Sequence, residues 1–464
     1  MPQFPYLPHT DEDRREMLKA IGVSTFEELI RHIPAELRAA GMDVPSGMSE
    51  QELREYVTGL AAKNKPASAQ SCFLGGGFYR RFVPAVVPAL VSRSEFATAY
   101  TPYQPEVSQG SLQAIYEFQT AVCLITGMEV ANASMYDGPT ACAEAALMAS
   151  RLTGRKKIVG SACLNPEYRM VTATYLRACG LDFVVPDSLE GGTDPLSLAV
   201  DGGTAAVVVQ HPNYFGCLED LPALAGAAHE AGALMVVVTE PVSLGLLEPP
   251  GESGADIVVG DAQPCGNNLS FGGPSAGYMA TRQEFVRQLP GRLAGATVDN
   301  RGQRAFTLTL QTREQHIRRA KATSNICTNQ ALNALTMLVY LSLLGPNGLR
   351  ELAELSLRRA HYLADRLTSI EGVRLCFRRP FFNEFAIETP LPAAAVLERL
   401  KDGGILGGID LAGFCRSLSG CILIAVTEMN SPRELDNYAD SLDAIVSGAA
   451  ARDKVTTARG GSKA

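Results

Sequence analysis

Residues 205–238 read AAVVVQHPNYFGCLEDLPALAGAAHEAGALMVVV. Two valine-rich runs, 205–209 and 234–238, enclose an alanine-rich stretch of helical spacing over 221–231. Strand, helix and strand in succession make a crossover unit, and a continuously apolar strand is one buried on both faces. Working outward, further short β-branched runs occur at Ile158-Val159, Phe183-Val184-Val185 and Ile257-Val258-Val259. Helical stretches separate most of them, including 167–178 and an alanine-rich one that opens at Gly138-Pro139-Thr140 and stops near Gly154. The expected fold is α/β, with a mostly parallel sheet covered by helices.

Upstream, Ser24 with Glu27 and Ser49 with Glu52 fit capping boxes. Leu53, Tyr56, Val57 and Leu60 then recur on one helical face, as in an arm that docks on something. A loop-rich stretch, 72–110, contains Gly75-Gly76-Gly77; long irregular loops in compact proteins are usually functional. Leu112, Ile115, Phe118, Val122 and Ile125 mark the next helix, ended by Gly127. Downstream, 300–365 reads as helical, and strands at 385–388 and 422–426 open a last unit. Ser431-Pro432-Arg433-Glu434 is a capping box with proline at N1, ahead of Leu435, Tyr438, Leu442 and Ile445. The layout is a helical arm over 1–70, a large α/β domain over 71–365, a small C-terminal α/β domain over 366–448 and a disordered tail over 449–464.

At 464 residues with 46% hydrophobic content, the chain can bury a large core. Its net charge of −8 is spread along its length and forms no basic patch of the kind nucleic acid requires. Eleven cysteines without C-x-x-C spacing fit free thiols in a reducing compartment. No apolar run reaches the ~18 residues of a membrane span. The proline-rich, acidic N-terminus lacks the form of a signal peptide. These features predict a cytoplasmic protein with neither nucleic acid nor membrane as partner.

The stretch Tyr100-Thr101-Pro102-Tyr103-Gln104-Pro105-Glu106-Val107-Ser108-Gln109-Gly110 is similar, over nearly its whole length, to the N-terminal halves of glycine cleavage system P-proteins. Three further blocks match in the same order. They are Ala131-Asn132-Ala133-Ser134, a block over 267–277 containing Phe271-Gly272-Gly273-Pro274, and Lys321-Ala322-Thr323-Ser324-Asn325-Ile326-Cys327-Thr328. The similarity spans roughly residues 5–447. That family has two homologous halves, fused or separate, and this chain resembles the N-terminal half, subunit 1 or alpha. The resemblance implies the fold-type I pyridoxal-phosphate transferase architecture.

Enzymes of that fold hold the cofactor on a lysine of the large domain. This chain has nine lysines, and none lies between Lys157 and Lys321. Where the family's catalytic half carries His-Lys-Thr-Phe, this sequence has Ala262-Gln263-Pro264-Cys265. Gln263 thus stands at the lysine position, and an amide cannot form the imine. Thr239-Glu240 stands where an active enzyme usually carries the pyridinium-binding aspartate. The expectation is a subunit with no catalytic residue and no covalent cofactor of its own.

Other segments carry two readings each. Gly138-Pro139-Thr140 could cradle a phosphate or simply turn and cap a helix. His211 could stack on a ring or be an ordinary loop histidine. Tyr100, Tyr103 and Gln104, set among prolines, suit a small polar substrate better than packing. Asn268, Gly272 and Gly273 are expected near a partner's cofactor, or in a tight turn. Thr323, Ser324 and Asn325, after Arg318-Arg319-Lys321, could face a cofactor phosphate across a subunit interface, or cap the next helix.

The resemblance implies decarboxylation of glycine with pyridoxal phosphate on a partner subunit 2, in an α2β2 assembly. The aminomethyl group then passes to the lipoyl arm of H-protein. The alternatives are a self-sufficient pyridoxal-phosphate aminotransferase or decarboxylase, against which the empty lysine interval argues, and a purely structural or regulatory paralogue.

Overall fold

The computed structural model describes residues 8–39, 41, 44–186 and 189–460. They fall into two compact units that divide between Lys65 and Pro66. The first contains helices Asp11–Ile21, Phe26–Leu29 and Glu50–Ala61. Ser49 and Glu52 form the expected capping box. The box expected at Ser24 and Glu27 is shifted by one residue. Thr25 caps the helix by accepting from the Glu28 N–H, and the Glu28 carboxylate reaches back to the Ser24 N–H. This frame satisfies two otherwise orphaned donors at once. Leu53, Tyr56, Val57 and Leu60 remain exposed on the third helix.

The second unit is built on seven strands. They are β1 (Val130–Ala131), β2 (Lys157–Gly160), β3 (Asp182–Val184), β4 (Thr204–His211), β5 (Leu234–Thr239), β6 (Ile257–Asp261) and β7 (Gly277–Thr281). Their order is β1-β7-β6-β5-β4-β2-β3. Strands β2 to β6 run parallel, and β7 is antiparallel to both neighbours. The valine runs are continuous because both faces are covered. Val207, Val209 and Val237 enter one core cluster, whereas Ala206, Val208 and Val236 enter the other. Helices α1 (Gln109–Thr126), α2 (Gly138–Thr153), α3 (Pro166–Ala178) and α4 (Leu221–Glu230) accompany the sheet. A long helix, α5 (Ala331–Thr368), is broken at Gly345, where Pro346 follows. It is apolar enough to cross a membrane by composition. Its apolar residues serve the core, however: Ala334, Met337, Tyr340, Leu349 and Ala353 are buried there.

The C-terminal part has a four-stranded antiparallel sheet centred on Glu384–Glu388 and Cys421–Ala425. Ser431 and Glu434 cap the last helix, which packs Leu435, Tyr438 and Leu442 against Phe385, Ile422 and Ile424.

An expectation about element type is corrected. Residues 300–365 are not helical throughout: Leu293–Val298 and Arg304–Thr309 form an antiparallel hairpin. The Asp299 carboxylate closes its turn by accepting from the Arg301 and Gln303 N–H groups. Phe306 and Leu308, the apolar face of an alternating Phe306-Thr307-Leu308-Thr309 run, then pack on Leu112 of α1. The last helix runs from Pro432 to Gly460, into the stretch read above as a tail from 449. Residues 461–464 lie outside the described residues.

Candidate functional site

Strands β5 and β6 end beside one another, and the residues that follow them build a closed polar cluster. Gln263, two residues beyond the end of β6, is only 1% exposed. Its side-chain oxygen accepts from the Tyr79 N–H at 2.8 Å, and its amide nitrogen donates to the carbonyls of Tyr79 and Asn267 at 3.0 and 3.1 Å. Gln263 therefore latches the loop after Gly75-Gly76-Gly77 onto the sheet.

A guanidinium fills the space beside it. Arg81, fully buried, lies 2.9 Å from the Glu428 carboxylate and 3.6 Å from that of Glu240, which follows β5. Burial disfavours its charge, but Glu240 and Glu428 together hold the guanidinium charged. Burial raises Glu240 in turn, and Arg81 opposes that shift. Glu240 thus already faces a cation from its own chain.

The N-terminus of α2 is likewise taken. The Asp261 carboxylate accepts from the Gly138 N–H at 2.9 Å and from the Ser275 hydroxyl at 2.8 Å, while Asp137 accepts from the Thr140 N–H. An anion at a helix N-terminus is favoured, and here that anion is a side chain. Burial pushes Asp261 up to about 6 against these hydrogen bonds. Gly138 is required by packing, because a Cβ there would lie 1.9 Å from the Tyr168 hydroxyl oxygen. With no amine, an occupied helix terminus and a paired Glu240, these residues do not fit pyridoxal phosphate. His211 is a buried structural residue: its Nδ1 accepts from the Glu219 N–H, and burial lowers it to about 4, so it is neutral.

Glu384 seals the cluster. It accepts from the Gly76 N–H at 2.7 Å and the Tyr79 hydroxyl at 2.6 Å. Burial, the largest influence, pushes its carboxyl up to about 7, while those hydrogen bonds pull the other way. A carboxyl raised in the folded state stabilises most below its unfolded pKa, and that contribution fades as pH rises through the folded one. Stability should therefore decline between about pH 4.5 and 7 from this group. Glu384→Gln should flatten that decline in urea titrations across the window; an unchanged pH slope would refute the assignment.

Around the start of α5 three of the four sequence blocks are tied together, and the fourth, 321–328, leads into it. The Tyr103 hydroxyl donates to Asn329 Oδ1 at 3.3 Å, and Asn329 Nδ2 donates to the Ala133 carbonyl and the Ser134 hydroxyl. Asn333, in α5, donates to the carbonyls of Pro274 and Ser275 and accepts from Asn267. Tyr100, Gln104, Asn268 and Asn325 are exposed side chains along this ridge. Gly272 and Gly273 have φ of 103° and 137°, in a loop that also holds Ser270 and Phe271 at positive φ. Phe271 stands fully in solvent. The Thr323 N–H donates to the Arg313 carbonyl, and Ser324 accepts from the Ile326 N–H. The helix-cap alternative for 323–325 fails, because α5 begins only at Ala331. An open cleft of about 410 Å³ borders Tyr100, Thr101, Pro102, Val107 and Ser108.

Sequence reasoning missed Arg81, Tyr79, Glu384, Asp261, Arg292 and Asn329. Nothing in the sequence places Arg81 opposite Glu240.

The family model described as glycine cleavage system P-protein matches residues 5–442. The chain belongs to that family. A relative from Chlorobium luteolum, named probable glycine dehydrogenase (decarboxylating) subunit 1, is 51% identical over 443 residues, 95% of this chain and 99% of that one. A crystal structure of glycine decarboxylase (P-protein) of the glycine cleavage system, in inhibitor-bound form, shares 48% identity. It superposes with a TM-score of 0.88, covering 95% of this chain and 100% of the other. Sphingosine-1-phosphate lyase from Burkholderia pseudomallei, 17% identical with a TM-score of 0.63 over 91% of this chain and 97% of its own, shares the fold. The P-protein chain described here thus has the fold of type I pyridoxal-phosphate transferases, as its sequence implied.

Proposed function

We propose that this chain is the cofactor-free subunit of a two-chain glycine decarboxylase, the aminomethyl-transferring glycine dehydrogenase. The observation that carries this reading is the contrast between the two regions. The place where the fold would hold a cofactor is filled by Gln263, Arg81, Asp261 and Glu384, yet parts of the family's blocks meet at Asn329 and Asn333 and carry the exposed Tyr100, Gln104, Asn268 and Asn325. A ridge of this kind is best explained as part of an active site completed by a second chain.

On subunit 2, pyridoxal phosphate would accept the electrons left on glycine when CO2 departs, and the lipoyl group of H-protein would take the aminomethyl group. Tyr103 would orient the reacting molecule through its hydroxyl, with Tyr100 and Gln104 beside it. Asn268, Gly272 and Gly273 would bring backbone close to the partner's cofactor, and Thr323, Ser324 and Asn325 would donate hydrogen bonds to its phosphate. An apolar groove of about 490 Å³, lined by Leu90, Phe96, Leu335, Leu338, Val339 and Leu343, offers a surface for a lasting subunit contact. The assembly proposed is α2β2, and the helical arm would help hold it. The free thiols of the described cysteines suit the cytoplasm.

The test is glycine–bicarbonate exchange by the reconstituted two-chain complex. Tyr103→Phe should leave assembly intact and slow exchange roughly 5- to 150-fold, matching the ~1–3 kcal/mol of a lost buried hydrogen bond. Wild-type exchange by the assembled Tyr103→Phe complex, with Tyr100→Phe equally silent, would reduce the loop to packing. Exchange by this chain without its partner would overturn the two-chain reading.

A further inference from the structure

Tyr103 reaches the ridge from a loop, and a loop phenol needs support if its oxygen is to act directionally. Gln109 anchors the backbone, its amide donating to the carbonyls of Pro105 and Phe306 at 2.7 and 2.8 Å and accepting from the Phe306 N–H. The side chain is held by Arg292, which stands just ahead of the hairpin. The Arg292 guanidinium lies 4.1 Å over the Tyr103 ring, and its Nη1 donates to the Tyr103 hydroxyl at 3.3 Å. Arg292 is itself oriented by Glu314, 3.8 Å from its Nε. Glu314 is nine-tenths buried, and its Oε1 has no hydrogen-bond partner among the described residues.

Donor and acceptor roles follow from this arrangement. A guanidinium can only donate, so the Tyr103 oxygen must accept from Arg292 and turn its own hydrogen to Asn329 Oδ1. Asn329 cannot present its nitrogen instead, because that group donates to the Ala133 carbonyl and the Ser134 hydroxyl at 2.9 and 3.0 Å. The hydroxyl is left with one lone pair free to accept. Stacking on the ring fixes the plane of the phenol as well as its oxygen.

We propose that Arg292 is a positioning residue: by stacking on Tyr103 and donating to its hydroxyl, it fixes that oxygen as a hydrogen-bond acceptor for the reacting molecule. This rests on the reading of Tyr103 given above. Arg292 acts through Tyr103, so removing either should remove the same contribution.

The experiment is a double-mutant cycle in glycine–bicarbonate exchange, using the reconstituted complex and checking assembly by size exclusion. Arg292→Met should lower kcat by about tenfold, within the span given for Tyr103→Phe, and leave the KM for glycine within about twofold. Arg292→Met with Tyr103→Phe should be no slower than the slower single variant, since residues acting as a unit are not additive. Arg292→Lys, which keeps charge and a donor, should recover part of the loss. Losses that multiply would overturn the inference, as would a complex that fails to assemble with Arg292→Met. A large rise in KM at unchanged kcat would also overturn it, by showing that Arg292 binds substrate itself. A silent Tyr103→Phe beside a slow Arg292→Met would instead sink the placement of Tyr103, and with it any role of Arg292 through that residue.

Discussion

Replacing Arg81 with methionine is expected to reduce folding stability by about 3–5 kcal/mol, the usual cost of breaking a buried ion pair from one side. The guanidinium is fully buried between Glu428 and Glu240, and it also donates to the Ser356 hydroxyl. Methionine would fill much of the volume but leave two carboxylates facing each other without a cation. Protonating one would relieve the repulsion. Burial already raises Glu240, so the variant's deficit should shrink as pH falls from neutral toward the carboxyl range. The measurement is a urea titration of both proteins at several pH values. A deficit under about 1 kcal/mol, the level of an exposed pair, would mean that Arg81 does not hold the cluster together.

The second large effect concerns Gln263→Lys, which puts a lysine where the family resemblance leads one to expect it. It should yield neither an independent decarboxylase nor a stable chain. The Tyr79 N–H would lose its acceptor at a site 1% exposed, costing about 1–3 kcal/mol, and an ammonium would have to be desolvated in addition. Catalysis would further need a vacant helix N-terminus and an unpaired acid for the pyridinium. Asp261 occupies the first, and Arg81 engages the second. After incubation with pyridoxal phosphate and borohydride, peptide mapping should show no pyridoxyl group at position 263, and thermal unfolding should shift downward. A stoichiometric adduct there, with glycine-dependent CO2 release by the single chain, would overturn the account of a filled pocket. The wild-type chain mapped alongside should carry no adduct on Lys157 or Lys321 either.

The valine runs at 205–209 and 234–238 and the alanine-rich helix between them were enough to set the parallel α/β core. Each residue's preference there agrees with burial on both faces, as the two core clusters of the sheet show. Local chemistry also determined the caps at Ser49, Gly127 and Ser431, because a cap depends on residues within a few positions of itself. The absence of lysine between 157 and 321 was visible too, and with it the lack of an imine-forming amine. Only the tertiary structure decided what occupies that place. Gln263 and Tyr79 are 184 residues apart, Arg81 and Glu428 are 347, and Tyr79 and Glu384 are 305. Such partners are chosen by how the C-terminal sheet and the glycine loop close on the large sheet, and no local pattern encodes that distance. The hairpin over 293–309 was missed although Phe306-Thr307-Leu308-Thr309 alternates at strand period, and the structure buries the apolar face of that alternation on α1. The polar residues of the ridge could be named one by one from sequence, but their convergence at the start of α5 depends on Asn329 and Asn333, which bridge segments about 60 to 225 residues apart.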